Sequence, residues 1–215
     1  MTIMDLIPIS VSALVVLGIL LFGEYGWHKH WLNGEIGRKF VHITVGTFVA
    51  FWPFFMDWED IRILSLAFFI VVLLSMRLGI FRAINSVLRP TYGEIFFALS
   101  VGLLTVVTVS KSIYAVAILQ MALADGFAAI FGTYYGRDNK YHIFGRTKSI
   151  VGTLTFFTIS LALLIGYALF SNAGLAWPYV LITAAGATLV ENIAALGFDN
   201  LFVPVAVGIL LAVVY

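Results

Sequence analysis

Apolar runs of about 15 to 20 residues recur along the chain, each set off from the next by a short polar stretch. The runs predict about eight membrane-spanning helices, over residues 6–22, 35–54, 61–78, 93–109, 113–136, 149–170, 177–196 and 201–215. Asp5 is the only charge before the first run, and no small-x-small cleavage site follows it. The first run therefore reads as a retained helix and not as a signal peptide. Asn33, Ser149 and Asn200 stand where N-caps of the second, sixth and eighth spans are expected, and Pro53 lies near the end of the second. The polar pieces between runs differ in character. Residues 23–34 carry His28, Lys29 and His30; Asp57, Glu59 and Asp60 make an acidic turn; Arg77, Arg82 and Arg89, closed by Pro90, make a basic loop. Residues 137–148 form the most polar loop of all.

Composition narrows the fold class. Of 215 residues, 62% are hydrophobic and 11% charged, where a soluble domain carries roughly a quarter charged residues. Backbone polar groups in lipid must pair internally, so the expected fold is all-α: a polytopic integral membrane helical bundle forming one domain over residues 1–215. A net charge of +1 gives no reason to expect nucleic acid, and the absence of cysteine excludes disulfides and Cys-ligated metal. Lys29, Arg38, Lys39, Arg77, Arg82, Arg89, Arg137, Lys140, Arg146 and Lys148 all fall on one side of this topology, against Arg62 and Lys111 on the other. The positive-inside rule then makes the odd-numbered loops cytoplasmic, with both termini outside. Trp27, Trp31, Trp58 and Trp177 lie near span ends, where interfacial anchors belong.

Against this apolar background a few polar residues stand out. Asp125 shares a helix face with Ala128, Gly132 and Gly136. The two glycines form a small-xxx-small packing motif, but packing does not account for an ionisable group inside a span. Lys148 and Ser149 open the sixth span, where a lysine, a hydroxyl and backbone N–H groups would meet an anion together; a capped helix with a snorkelling lysine is the plainer reading. Glu35, Arg38, Lys39 and His42 fall along one stripe of the second span. Two cations there could hold a phosphate chain, or could be membrane anchors with a local Glu35–Lys39 pair. Glu94, Glu191 and Asp199, with Asp125, put four carboxylates on the same side as the cations. Oxygen ligands of this kind suit Mg²⁺, which ordinarily takes one or two carboxylates plus substrate phosphates.

The arrangement Asp125-x-x-Ala128-x-x-x-Gly132-x-x-x-Gly136, a polar loop, then Lys148-Ser149-x-x-Gly152 resembles the CTP-binding motif of dolichol and phytol kinases, and more distantly that of CDP-diacylglycerol synthases. Glu35-x-x-Arg38-Lys39-x-x-His42, Tyr92-Gly93-Glu94 and Glu191-Asn192 through Asp199-Asn200-Leu201 are similar to the polyprenol kinase pattern in the same order. Val151 stands where the related motif often has an acid. The resemblance implies an enzyme that transfers the γ-phosphoryl group of CTP to a polyprenol-type alcohol such as phytol, dolichol or undecaprenol. It implies Asp125, Lys148 and Glu94 as catalytic residues. Nucleotide binding would fall to Arg38, Lys39, His42, Gly132, Gly136, Arg137, Lys148, Ser149 and Gly152, and Mg²⁺ to Asp125, Glu94, Asp199 and Glu191. The implied partners are a membrane lipid alcohol and a nucleoside triphosphate, with a homodimer left open and the active site facing the cytoplasm. Two rivals remain: a phosphatidate cytidylyltransferase-like enzyme, and a small non-enzymatic transporter coupled through Asp125.

Overall fold

The computed structural model describes residues 3–32, 34–79, 92–171 and 174–214. Arg82, Arg89 and Pro90 of the basic loop, and Asn33, lie outside the described residues. Among those described are eight helices: α1 (Ile3–His28), α2 (Gly34–Ala50), α3 (Trp58–Leu78), α4 (Gly93–Val107), α5 (Lys111–Tyr135), α6 (Ile150–Phe170), α7 (Trp177–Ile193) and α8 (Asp199–Val214). The expected order of helices holds, and the fold is all-α and membrane-like. α1, α3, α5 and α6 are long and apolar enough to cross a membrane; α4 and α8 are apolar but shorter.

The differences from expectation have local causes. α1 runs on to His28 through residues expected to be loop, and Glu24 pairs with His28 one turn later at 3.5 Å. Loss of hydrophobicity marks the edge of a membrane slab, not the end of a helix. α2 stops at Ala50, and a 3₁₀ turn at Trp52–Phe54 carries Pro53, whose missing N–H would break a longer helix. α3 ends on Gly79, left-handed at φ 65°. Asn200 is not the cap of α8. It lies inside the first turn, 2% exposed, and its side-chain amide donates to the Gly93 carbonyl at 2.8 Å.

α5 is the axis of the bundle. Its apolar window is 72% buried, against 22–28% for the other long helices. α2, α6 and α8 pack around it; α4 bridges α3 and α8, α7 lies against α6 and α8, and α1 against α2. Within α5 the segment Gln120–Asp125 is π-helical, ending on Asp125. Such bulges recur at functional sites because they redirect side chains and release carbonyls from the regular ladder.

The polar loop 137–148 is not irregular. β1 (Lys140–Ile143) and β2 (Arg146–Ser149) form an antiparallel hairpin with Tyr141 opposite Lys148. Ser149 ends β2 and caps α6, its hydroxyl accepting from Gly152 N–H at 3.0 Å, as its sequence position suggests. A Cβ on Gly132 would come within 2.9 Å of Ser149 Oγ and 3.3 Å of Gly152 Cα, and one on Gly136 within 2.4 Å of Ser149 Oγ. The three glycines thus let α5 and the start of α6 touch.

Candidate active site

α2 carries its stripe inward. Arg38, Lys39 and His42 are 6%, 2% and 8% exposed, which rules out membrane anchoring, since a snorkelling cation keeps its head in water. Lys39 Nζ donates to Asp125 Oδ2 in a buried ion pair across the α2–α5 contact. His42 Nε2 lies 3.0 Å from the Met121 carbonyl and 3.5 Å from Asp125 Oδ2. A carbonyl can only accept, so Nε2 carries the hydrogen. Arg38 binds Glu35 at 2.6 Å and reaches Glu94, at the start of α4, at 3.5 Å. The expected Glu35–Lys39 pair is replaced by Glu35–Arg38, one residue earlier on the helix, because Lys39 turns toward α5.

The second half comes from the hairpin. Lys148 Nζ donates to Glu191 Oε1 and, at 3.1 Å, to the Glu191 carbonyl near the end of α7. The adjacent Tyr141 hydroxyl meets Asn192 Oδ1, and Thr153 Oγ1 at 2.5 Å. Arg146 reaches the Ala194 carbonyl at 3.4 Å. One face of the hairpin therefore grips the C-terminal end of α7. Burial alone would lower the Lys148 pKa, but the Glu191 carboxylate more than offsets it and the ammonium is held above its ordinary value.

The two halves are one electrostatic unit. Asp199, at the first residue of α8, interacts with Asp125, Lys39, Lys148 and Arg38, and Glu191 interacts with Asp125 and Asp199. Five carboxylates (Glu35, Glu94, Asp125, Glu191, Asp199) face three cations, Arg38, Lys39 and Lys148. Asp199 has no ion pair among the described residues, and next to it Asn200 Oδ1 is buried without a hydrogen-bond partner. Arg137 is exposed and not joined to the cluster by any ion pair or hydrogen bond among the described residues. Two N–H groups at the start of α6 are already used: Ile150 N donates to Asn139 O at 2.9 Å and Gly152 N to Ser149. Sequence reasoning missed Tyr141 and Thr153. Nothing in their spacing marks them, because Tyr141 meets Asn192 only through the hairpin and Thr153 only where α6 packs on α7.

No family model matches the chain, and no solved structure matches it. It is 33% identical over 208 residues to the phytol kinase of Synechocystis sp., covering 92% of this chain and 87% of that protein. It is 27% identical over 223 aligned positions to "Probable phytol kinase 2, chloroplastic" of Oryza sativa subsp. japonica, covering 93% of this chain and 73% of that one. At that identity and coverage the chain belongs to the polyprenol/phytol kinase family.

Proposed function

We propose that the protein is a lipid-alcohol kinase that moves the γ-phosphoryl group of CTP to a phytol-type or longer isoprenoid alcohol at the cytoplasmic side of a membrane. The observation that carries this reading is the buried cluster joining Lys39–Asp125 to Lys148–Glu191 with Asp199 between them in charge. Its relatives' names, phytol kinase, supply the acceptor class.

The cluster's excess of carboxylate would repel a free polyphosphate, so the nucleotide enters most favourably with a divalent cation. The donor set fits Mg²⁺: Asp125 offers a carboxylate once Lys39 turns to phosphate, and the orphaned Asn200 Oδ1 offers a neutral oxygen. No group of three or more His, Cys, Asp or Glu among the described residues is placed to hold a metal alone; phosphates would complete the shell, as they usually do for Mg²⁺. When bound, the cation would supply neutralisation of phosphate charge.

The chain's own groups do the rest. Lys39 and Lys148 exchange their carboxylate partners for phosphate oxygens as the nucleotide arrives, so the charge of each lysine stays compensated throughout. Arg38, held by Glu35 and Glu94, adds a third cation. Asp199, without a cation of its own, accepts the proton of the lipid hydroxyl as its oxygen bonds to the γ-phosphorus. The bond to the β–γ bridging oxygen breaks, and CDP leaves. Phosphoryl transfer needs chiefly such positioning and charge compensation.

Purified protein given CTP labelled at the γ or at the α phosphate, with phytol and separately with phosphatidate, tests the reading. Label from γ in a phosphorylated alcohol is expected. Label from α in the lipid, with pyrophosphate released, would make the protein a cytidylyltransferase instead. Lipid flux without nucleotide turnover would make it a transporter.

A further inference from the structure

The polar cluster uses Glu191 and Asp199 but not the surface directly beside them. An apolar groove of about 500 Å³ opens between the C-terminal end of α7 and α8, with Ile193, Phe198, Phe202, Ala206 and Ile209 in its walls and Phe144 at one side. That volume is within the ~300–1,000 Å³ of ordinary small-molecule sites.

Three features say what occupies it. The first is continuity. Val190 and Phe198 line the groove, and the next residue after each is an acid of the cluster, Glu191 and Asp199. The groove therefore begins one residue along the chain from each acid. From Phe198 to Ile209 it follows α8 for about 16 Å at 1.5 Å per residue, away from the charges. The second is its aromatic wall. Phe198 stacks on Phe202 at 5.2 Å and on Phe96 of α4 at 4.1 Å, a surface suited to CH-rich ligands.

The third is Phe144. Phe144 and Gly145 make the two-residue turn of the hairpin, with φ of 45° and 73°. Two left-handed residues are what a type I′ turn demands, and Asn or Asp is the usual choice for the first. A bulky aromatic residue there is strained. It is also 81% exposed. A large apolar side chain kept in an unfavourable turn, held out from the protein beside an apolar groove, is explained when an apolar ligand lies against it.

We propose that this groove holds the hydrocarbon chain of the lipid alcohol, with its hydroxyl at Asp199 and Phe144 packed over the chain. The inference rests on the lipid-alcohol kinase reading. Its tests separate the two.

In phosphatidylcholine nanodiscs, a diazirine-bearing phytol analogue is expected to label the segments containing Ile193 and Phe202, and excess unlabelled phytol to suppress that labelling. Labelling elsewhere, or labelling that phytol does not suppress and that a diazirine-bearing phosphatidylcholine reproduces, would make the groove a site of bilayer lipid only. Phe144→Asn relieves the turn, so it cannot act by misfolding; Ala206→Trp fills the groove. Each is expected to lower the ratio of kcat/KM for phytol to that for dimethylallyl alcohol by about tenfold, roughly the worth of one buried aromatic contact. An unchanged ratio in both variants would overturn the proposal. If the wild-type protein phosphorylates no alcohol, the kinase reading fails, and the photolabelling alone decides the groove.

Discussion

Lys39 and Asp125 are each buried to within a few per cent, in a medium where neither could stay charged alone. Asp125→Ala leaves a bare ammonium in the core and is expected to destabilise the protein by about 3–5 kcal/mol. Lys39→Met with Asp125→Leu removes both charges and is expected to recover most of that stability, since apolar replacement of a buried pair is often neutral. Neither variant should turn over CTP. Thermal unfolding in detergent beside the γ-label assay checks the pair of outcomes, and activity in the double variant would remove Asp125 from the mechanism. Lys148 yields a pH prediction. Its pKa is raised by Glu191, so the folded state binds its proton more tightly than the unfolded state does. The stabilisation is then complete below the ordinary lysine pKa and is lost as pH rises through the higher folded value. Lys148→Arg keeps its proton throughout. The Tm of wild type relative to Lys148→Arg should be flat from about pH 6 to pH 9 and fall only beyond about pH 10. A fall near neutrality would mean that the pair does not persist in solution.

At the scale of elements, the α5–α6 contact decides where Lys148 points. Gly132→Ala would bring a methyl against Ser149 Oγ and Gly152 Cα, costing about 1–3 kcal/mol as overpacking. Ser149→Gly clears part of that space while costing the cap only a few tenths of a kcal/mol. The double variant is therefore expected to be more stable than Gly132→Ala alone. Additive losses would show that the close approach is not as described. The glycine spacing is readable from sequence as a packing face, and the cap at Ser149 is readable too, because both are local signals. The hairpin is not. Four-residue strands in a polar segment have too few alternations to show a period, and the left-handed Phe144 contradicts the turn rule that would have revealed it. Nor does sequence show the π segment, which lies packed among α2, α6 and α8.

For the whole molecule, sidedness is the property that the function most depends on, because nucleotide triphosphates are available on one face. The chain has no cysteine, so single-cysteine variants report topology directly. Lys140→Cys, on the exposed side of β1, is expected to react with an impermeant maleimide only after the cytoplasmic face is opened. Glu59→Cys, exposed at the start of α3, is expected to react from outside. The reverse pattern would put the cluster on the wrong side for CTP.

The sequence by itself determined that the protein is a helical membrane bundle, in what order its helices come, and which residues carry charge where charge is costly. These follow from hydropathy and helical period, which act over a few neighbouring residues. It also picked out Asp125, Lys39, Lys148, Glu191 and Asp199 as separate candidates. Only the tertiary structure decided that Lys39 answers Asp125 across 86 positions and Lys148 answers Glu191 across 43. It alone placed the apolar groove beside them. A buried ion pair is chosen by which helices lie side by side, and that depends on how the whole bundle closes around α5, not on the spacing within any one segment.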